Sequence, residues 1–303
     1  MKAAIYKRYG DAQTLQLANV AKPVPKENEI LIKVYATDVS AADCRFRKAD
    51  PWAVRLINGL FRPKKIQILG GDVAGVVEAA GSSVREYRTG DAVFASCGLQ
   101  FGGYAEYVAL PENSLISRKP DSMTFIESAT VPSNSVTALR FLNSAEIKSG
   151  QKVMIYGASG SVGTFAVQIA RILGAEVTGV CSAGNRELVK SLGACEALDY
   201  ARQDFSLFSG RFDIVFDAVG RAKKSACKRM LKPEGKFVTV KSLRNRGTGE
   251  LRDIKEFIGQ GKLRTVIDRE YALEQIVKAH AYVDQGHKRG NVAVRVLNEP
   301  AGW

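Results

Sequence analysis

Apolar and polar positions change rhythm once along this chain. Over residues 1–117 the apolar runs are short and separated by turns. Lys2–Tyr6, Glu29–Thr37, Val73–Ala80, Ala92–Phe94 and Tyr104–Ala109 predict strands, and Gly70-Gly71, Gly81, Gly90 and Gly102-Gly103 punctuate them. Beyond Pro120, helical periodicity sets in over Glu127–Ser144. Strand and helix then alternate: strand Lys152–Tyr156, helix Val162–Leu173, strand Glu176–Val180, helix Arg186–Leu192, a short strand over Glu196–Asp199, strand Asp213–Asp217, helix Ala222–Leu231 and strand Lys236–Val240. Gly174 and Gly193 stand where helix C-caps belong. This alternation predicts right-handed βαβ units and a parallel sheet. Val153–Tyr156 is apolar throughout, as a strand covered on both faces requires. The tail predicts helices over Asp253–Gly259 and Leu273–Asp284, then a last strand, Val292–Leu297, able to rejoin the first sheet.

The strand ending at Tyr156 runs straight into Gly157-Ala158-Ser159-Gly160-Ser161-Val162-Gly163, and a helix opens there. Small residues at Ala158, Gly160 and Gly163 give the A-x-G-x-x-G form of a dinucleotide fingerprint, in the strand-turn-helix setting that lifts it above a chance glycine triplet. The first small residue permits the tight turn, Gly160 lets backbone approach a pyrophosphate, and Gly163 lets helix and strand pack closely. The pyrophosphate then meets N–H groups at a helix N-terminus. Ala158, Ser159, Gly160, Ser161, Val162 and Gly163 are the candidate cradle. The next strand ends Gly179-Val180-Cys181-Ser182-Ala183-Gly184-Asn185-Arg186, with no acid at its tip to hold a ribose 2′-hydroxyl. Ser182 can donate to a 2′-phosphate, Arg186 can pair with it, and Lys190 adds positive potential one turn on. NADPH is therefore the expected cofactor.

Composition narrows the chemistry. The 303 residues are 46% hydrophobic and 25% charged, ordinary for a globular protein, and no apolar run reaches membrane-spanning length. The opening MKAAIYKRYG lacks the apolar run of a signal peptide and reads as a strand, which predicts a cytoplasmic protein. Cys44, Cys97, Cys181, Cys195 and Cys227 are scattered and odd in number, so no disulfide framework is expected and each reads as a small residue in or near the core. The net charge is +13, with basic clusters over 45–65 and 221–250 that read as solvated faces. The only histidines, His280 and His287, lie in the tail away from any cysteine in sequence, so no metal site is expected. Neither a G-x-S-x-G elbow nor a Cys–His partnership is discernible. Without a metal to polarise a simple ketone, quinones and α,β-unsaturated carbonyls are the better hydride acceptors, because the charge that develops is delocalised.

These residues resemble the medium-chain dehydrogenase/reductase superfamily in its zinc-free quinone oxidoreductase branch. Glu29–Val34 and Leu69–Val77 are similar to two of its early segments, and Gly71-Asp72 stand where zinc-dependent relatives carry a His–Glu pair. Ser40, three before Asp43, stands where they carry a zinc cysteine, and Cys97 is followed closely by Gly102-Gly103-Tyr104 with no structural-zinc lobe. The resemblance implies an α/β fold: a GroES-like β-rich catalytic domain (1–118 and 260–303) plus a Rossmann doubly wound parallel-sheet domain (119–259), with the active site in the cleft between them. It further implies that Thr137 lies near the nicotinamide and that Ser182, Arg186 and Tyr200 hold the 2′-phosphate. Asp217-Ala218-Val219-Gly220 would pass the nicotinamide ribose, with Val219 in contact, and Lys288 and Asn291 would reach the cofactor. Ser40 is a candidate hydrogen-bond donor to the acceptor oxygen, and Tyr104 a candidate pocket residue.

The segment Lys241–Glu250 is shorter than in relatives, which predicts a more open pocket and puts the usual dimer in doubt. The leading expectation is an NADPH-dependent, zinc-independent reductase of a small apolar quinone or enone, with no membrane and no specific nucleic acid as partner. The alternatives are a non-enzymatic NADPH-binding redox sensor, or a basic protein with secondary nucleic-acid binding, although no RNA-binding signature is present.

Overall fold

A computed structural model describes residues 1–202, 205–242 and 250–299. The chain divides into two compact units, Met1–Ser133 with Ile267–Trp303, and Asn134–Val266. Both boundaries fall later than the expected 118/119 and 259/260.

The first unit opens with β1 (Lys2–Tyr6) paired antiparallel with β2 (Leu15–Asn19). There follow β3 (Glu29–Asp38), α1 (Ala41–Lys48), α2 (Val54–Asn58), β4 (Asp72–Ala80), β5 (Ala92–Ser96), β6 (Tyr107–Pro111), β7 (Leu115–Arg118), α3 (Phe125–Ala129) and α4 (Pro132–Ser144), whose C-terminal part belongs to the second unit. That unit continues with β8 (Lys152–Tyr156), α5 (Ser161–Ile172), β9 (Glu176–Cys181), α6 (Arg186–Ser191), β10 (Glu196–Asp199), β11 (Phe212–Asp217), α7 (Lys224–Met230), β12 (Leu231–Thr239) and α8 (Leu251–Gly259). The chain then returns to the first unit through β13 (Ile267–Ala272), α9 (Ile276–Asp284) and β14 (Asn291–Arg295).

In the first unit the sheet runs β13-β14-β3-β4-β5-β7, with β6 also paired to β3. Its pairs are antiparallel except β13 with β14. The last strand does rejoin the first sheet, through Ala293–Arg295 against Ala36–Asp38. In β3 every residue but Lys33 is buried, which fits a central strand. The late first boundary has a packing reason: α3 lies against β3, β4 and β14. At the second boundary, Gln168 holds Arg264 through both backbone groups, so the chain up to that point stays with the second unit.

The sheet of the second unit is parallel, in the order β10-β9-β8-β11-β12. Strand order reverses at β8, so the loops after β8 and β11 meet at a switch point, where open α/β sheets bind ligands. Apolar burial follows the pattern: Val153, Met154 and Ile155 of β8 are fully buried.

Several elements differ from the periodicity reading. The helix expected over Glu127–Ser144 is two helices, because Pro132 lacks an N–H and disfavours helix at Val131. Strand β6 starts at Tyr107, and Tyr104 packs into the core before it. Four of the cysteines are buried, but Cys195 is exposed. No described helix is long and apolar enough to cross a membrane.

Candidate functional site

The glycine turn separates packing from binding. Gly157 has φ +80°, a conformation costly for any residue with a side chain, and a Cβ there would come within 2.0 Å of Val219 Cγ2. A Cβ at Gly163 would come within 2.0 Å of the Gly157 carbonyl oxygen, so helix and turn demand glycine there too. Gly160 is different. Its φ is −84°, and a Cβ would meet only the Gly157 oxygen, at 3.5 Å. Nothing in the protein requires glycine at 160, whereas a ligand approaching the backbone would. Gly160 is also the N-cap of α5, with no side-chain cap and no acid in the first turn. First-turn N–H groups have no partner within their own helix. With Ser161, Val162 and Gly163 opening α5 and Ala158 buried beneath the turn, these residues fit a dinucleotide pyrophosphate.

Beside the turn, one side chain organises the tip of β9. The Asn185 amide donates to Ser159 Oγ at 3.1 Å and to Ser182 Oγ at 3.0 Å. Sequence reasoning overlooked Asn185; its buried amide between two serines is visible only in three dimensions. The Tyr200 N–H donates to the Cys181 carbonyl, which brings Tyr200 next to Ser182, and the Tyr200 ring is half exposed. Arg186 anchors its Nε on the Ala197 carbonyl at 2.9 Å and is otherwise exposed. Ser182, Arg186 and Tyr200 thus gather at the carboxyl ends of β9 and β10. Lys190 contributes less positive potential than its charge suggests, since it pairs with Glu187 at 3.7 Å.

The loop after β11 is built on Asp217. Its carboxylate accepts from the N–H groups of Val219, Gly220, Arg221 and Ala222 and from Thr239 Oγ1. That ring of donors holds Val219 against Gly157 while leaving it partly exposed. Thr137 is half-buried on α4.

In the first unit, Ser40 caps α1. Its Oγ accepts from the Asp43 N–H and donates to Asp43 Oδ2 at 2.5 Å, while the Ser40 N–H donates to the same oxygen. Asp43 is fully buried, and its other oxygen accepts from the Gly70 N–H at 2.9 Å. The hydroxyl proton expected to serve an acceptor is thus held by a carboxylate. Asp72 is similarly committed, accepting from Ser133 N–H at 2.8 Å and Ser133 Oγ at 2.5 Å at the start of α4. Burial raises its carboxyl to about 7.

Tyr104 is fully buried rather than lining an open pocket, and its hydroxyl meets His280 Nε2 at 3.0 Å. His280 Nδ1 lies 3.4 Å from Cys44 Sγ, a contact between residues that the sequence does not bring together. The pair is not a nucleophilic one. Burial pulls His280 down to about 3 and pushes the Cys44 thiol and Tyr104 phenol well up, so the group stays neutral around pH 7. Next to it the fully buried Arg47 pairs with Asp284 at 2.6 Å.

Lys288 and Asn291 flank the start of β14. Lys288 donates from Nζ to the Gly290 carbonyl at 2.6 Å, and burial lowers its ammonium to about 8 against the pull of Asp38 and Asp268. Asn291 is fully buried. Among the described residues no group of three or more His, Cys, Asp or Glu could hold a metal ion. Asp43 and Asp72, nearest to the positions of zinc ligands in relatives, are saturated by serine and backbone donors. A groove of 680 Å³ runs along β12, lined by Phe141, Phe237, Val238 and lysines 224, 228 and 232, and no residue of the glycine turn lines it. Of the short segment expected to open the substrate pocket, residues 243–249 lie outside the described residues.

Comparison with known proteins gives two matching family descriptions. "Alcohol dehydrogenase GroES-like domain" fits residues 26–121, and "Zinc-binding dehydrogenase" fits 161–264 and 241–294. The chain is 32% identical to 2-methylene-furan-3-one reductase of Solanum lycopersicum, over 98% of this chain and 79% of that protein. It is 30% identical to the chloroplastic NADPH-dependent alkenal/one oxidoreductase of Arabidopsis thaliana, over 97% and 79%. It is also 30% identical to human quinone oxidoreductase, over 94% of each. Among solved structures, the quinone oxidoreductase from Coxiella burnetii superposes with a TM-score of 0.85 at 29% identity, covering 98% of this chain and 99% of that one.

Proposed function

This chain is an oxidoreductase of the medium-chain dehydrogenase/reductase superfamily, in its quinone oxidoreductase branch, and we propose that it uses NADPH, without zinc, to reduce a small apolar quinone or α,β-unsaturated carbonyl compound. The observation that carries the reading is the turn at Gly160, where α5 has no side-chain cap and nothing in the protein demands glycine, beside a β9 tip that bears Ser182 and Arg186 and no acid of its own. NADPH, when bound, supplies a hydride from its nicotinamide.

The chain's own residues bind and orient. The first-turn amides of α5 receive the pyrophosphate. Asn185 holds Ser159 and Ser182 in place, and Arg186, tethered through Nε, keeps its terminal nitrogens for a 2′-phosphate. Thr137, Val219, Lys288 and Asn291 complete the cofactor contacts that the family resemblance implies. With Ser40 bound to Asp43, no described side chain is assigned as proton donor; the phenolate oxygen of a reduced quinone, or the α-carbon of the enolate formed from an enone, takes its proton from water. Hydride plus proton converts a quinone to its hydroquinone, or an enone to its saturated carbonyl, and leaves NADP⁺. The zinc-independent reading rests on the saturated carboxylates of Asp43 and Asp72. The acceptor class rests on the relatives, which are named for quinone, alkenal and methylene-furanone substrates.

The test is NADPH oxidation by purified protein, with NADH alongside and a chelator present. The panel is 1,4-benzoquinone, 9,10-phenanthrenequinone, a 2-alkenal and a simple ketone. Chelator-resistant, NADPH-selective turnover of the quinones or the alkenal, with none of the ketone, is expected. Loss of turnover on chelation, or equal use of NADH, overturns the corresponding part of the reading.

A further inference from the structure

We propose that residues 52–65 form a docking surface for an anionic lipid bilayer. Among the described residues, eleven large hydrophobic side chains are exposed, and five of them fall within ten positions: Trp52, Leu56, Ile57, Leu60 and Phe61. Phe61 is 86% exposed and Leu56 68%. Isolated exposed apolar residues need no explanation, but a contiguous cluster marks an interaction site.

The cluster is built rather than loose. Asn58, fully buried, donates to Tyr6 Oη and the Ile66 carbonyl and accepts from the Ile66 N–H, while its own carbonyl accepts from Lys64 N–H. Tyr9 Oη donates to the Gly59 carbonyl, and Val54 and Pro63 are buried. The polar anchors face inward and the apolar side chains outward, the reverse of an ordinary surface segment.

Charge selects the occupant. Arg45, Arg62, Lys64 and Lys65 are exposed around the apolar residues and pair with no carboxylate among the described residues; the one acid between 45 and 65 is Asp50. A second copy of the chain fits poorly, because an isologous contact would bring these cations onto their own images. A surface of anionic headgroups over acyl chains meets both demands, with phosphates for the cations and an apolar layer for Phe61 and Leu56. Trp52 has the amphipathic ring that prefers the boundary between the two.

The experiment uses the full chain carrying Trp303→Phe, which leaves Trp52 as the one tryptophan. Vesicles of phosphatidylcholine with 30% phosphatidylserine, with and without bromine on the acyl chains, are added at low salt. Cosedimentation and quenching of Trp52 by the brominated chains are expected, with little of either on pure phosphatidylcholine. Each of Arg62→Gln, Lys64→Gln and Lys65→Gln is expected to weaken partitioning about fivefold. Leu56→Ser with Phe61→Ser should abolish quenching while the melting temperature holds, since both side chains are exposed. Absence of quenching overturns the proposal. So does a dimer that the serine variants dissociate, which would make the patch a self-interface. Vesicle binding unaltered by the serine variants, with lost turnover of 1,4-benzoquinone, would make it a substrate wall instead and also overturns it.

Discussion

Three glycines in one turn carry three different obligations. Gly163→Ala drives a methyl into the Gly157 carbonyl oxygen, a clash with backbone that cannot rotate away. It is expected to cost about 1–3 kcal/mol of stability and to lose cofactor binding with it. Gly160→Ala meets ordinary contact only, so its melting temperature should match wild type while NADPH affinity falls at least tenfold. Thermal unfolding beside a fluorescence titration with NADPH separates the two, and equal affinity in Gly160→Ala and wild type would remove the phosphate from that position. The turn was legible because its evidence is local: nine consecutive residues state strand, turn and helix. The Cys44–His280 contact was not, because its partners lie 236 residues apart and only the packing of α1 on α9 brings them together. Asn185 escaped for a related reason, since a lone Asn in a loop has no pattern until the serines it joins are placed.

Elements were readable where one face is apolar and opaque where polar groups go inside. Helix α1 buries Asp43 and Arg47 alongside Cys44 and Phe46, so its periodicity is scrambled by charge, yet Ser40-x-x-Asp43 is a capping signature that would have located its start. Asp72 does comparable work in joining β4 to the first turn of α4. Its folded carboxyl titrates at about 7 against an ordinary 3.8, so between those values the folded chain holds a proton that the unfolded chain has released. Its contribution to stability is therefore largest below about pH 4, declines as pH rises to about 7, and is level beyond. Unfolding of wild type and Asp72→Asn between pH 4 and 8 tests this. The variant loses a carboxylate acceptor for Ser133 and should be weaker throughout, with the difference narrowing as pH rises. A constant difference would show that Asp72 is ionised across the range.

At the scale of the molecule, the interrupted first unit was foreseeable because a strand pattern reappears at the end of the chain, after the alternating strands and helices, and β14 pairs with β3. The boundary positions were not, since they depend on whether α3 packs with one sheet or the other, and nothing in an amphipathic stretch names its partner. The second unit has its own closed sheet order and its own apolar cluster of Met154, Val180, Phe212, Val215 and Cys227. Residues 134–266 expressed alone should therefore fold cooperatively and, on the proposed reading, still bind NADPH through the glycine turn. Circular dichroism and an NADPH titration would check it; an unfolded fragment would mean that the sheet needs the rest of the chain to form. The basic stretch over 45–65, read from sequence as a solvated face, acquires its apolar character only when burial shows which of its side chains point outward.

The approach of Val219 to Gly157 also bears on how such a turn can change over generations. A methyl at 157 has no room while valine stands at 219, and trimming 219 alone opens a gap beneath the turn with nothing to fill it. The constraint runs one way, because φ +80° at 157 penalises a side chain there even with 219 trimmed. Lineages that carry this loop after β11 should keep glycine at 157 throughout, and variation should be confined to the side chain at 219 that rests on it.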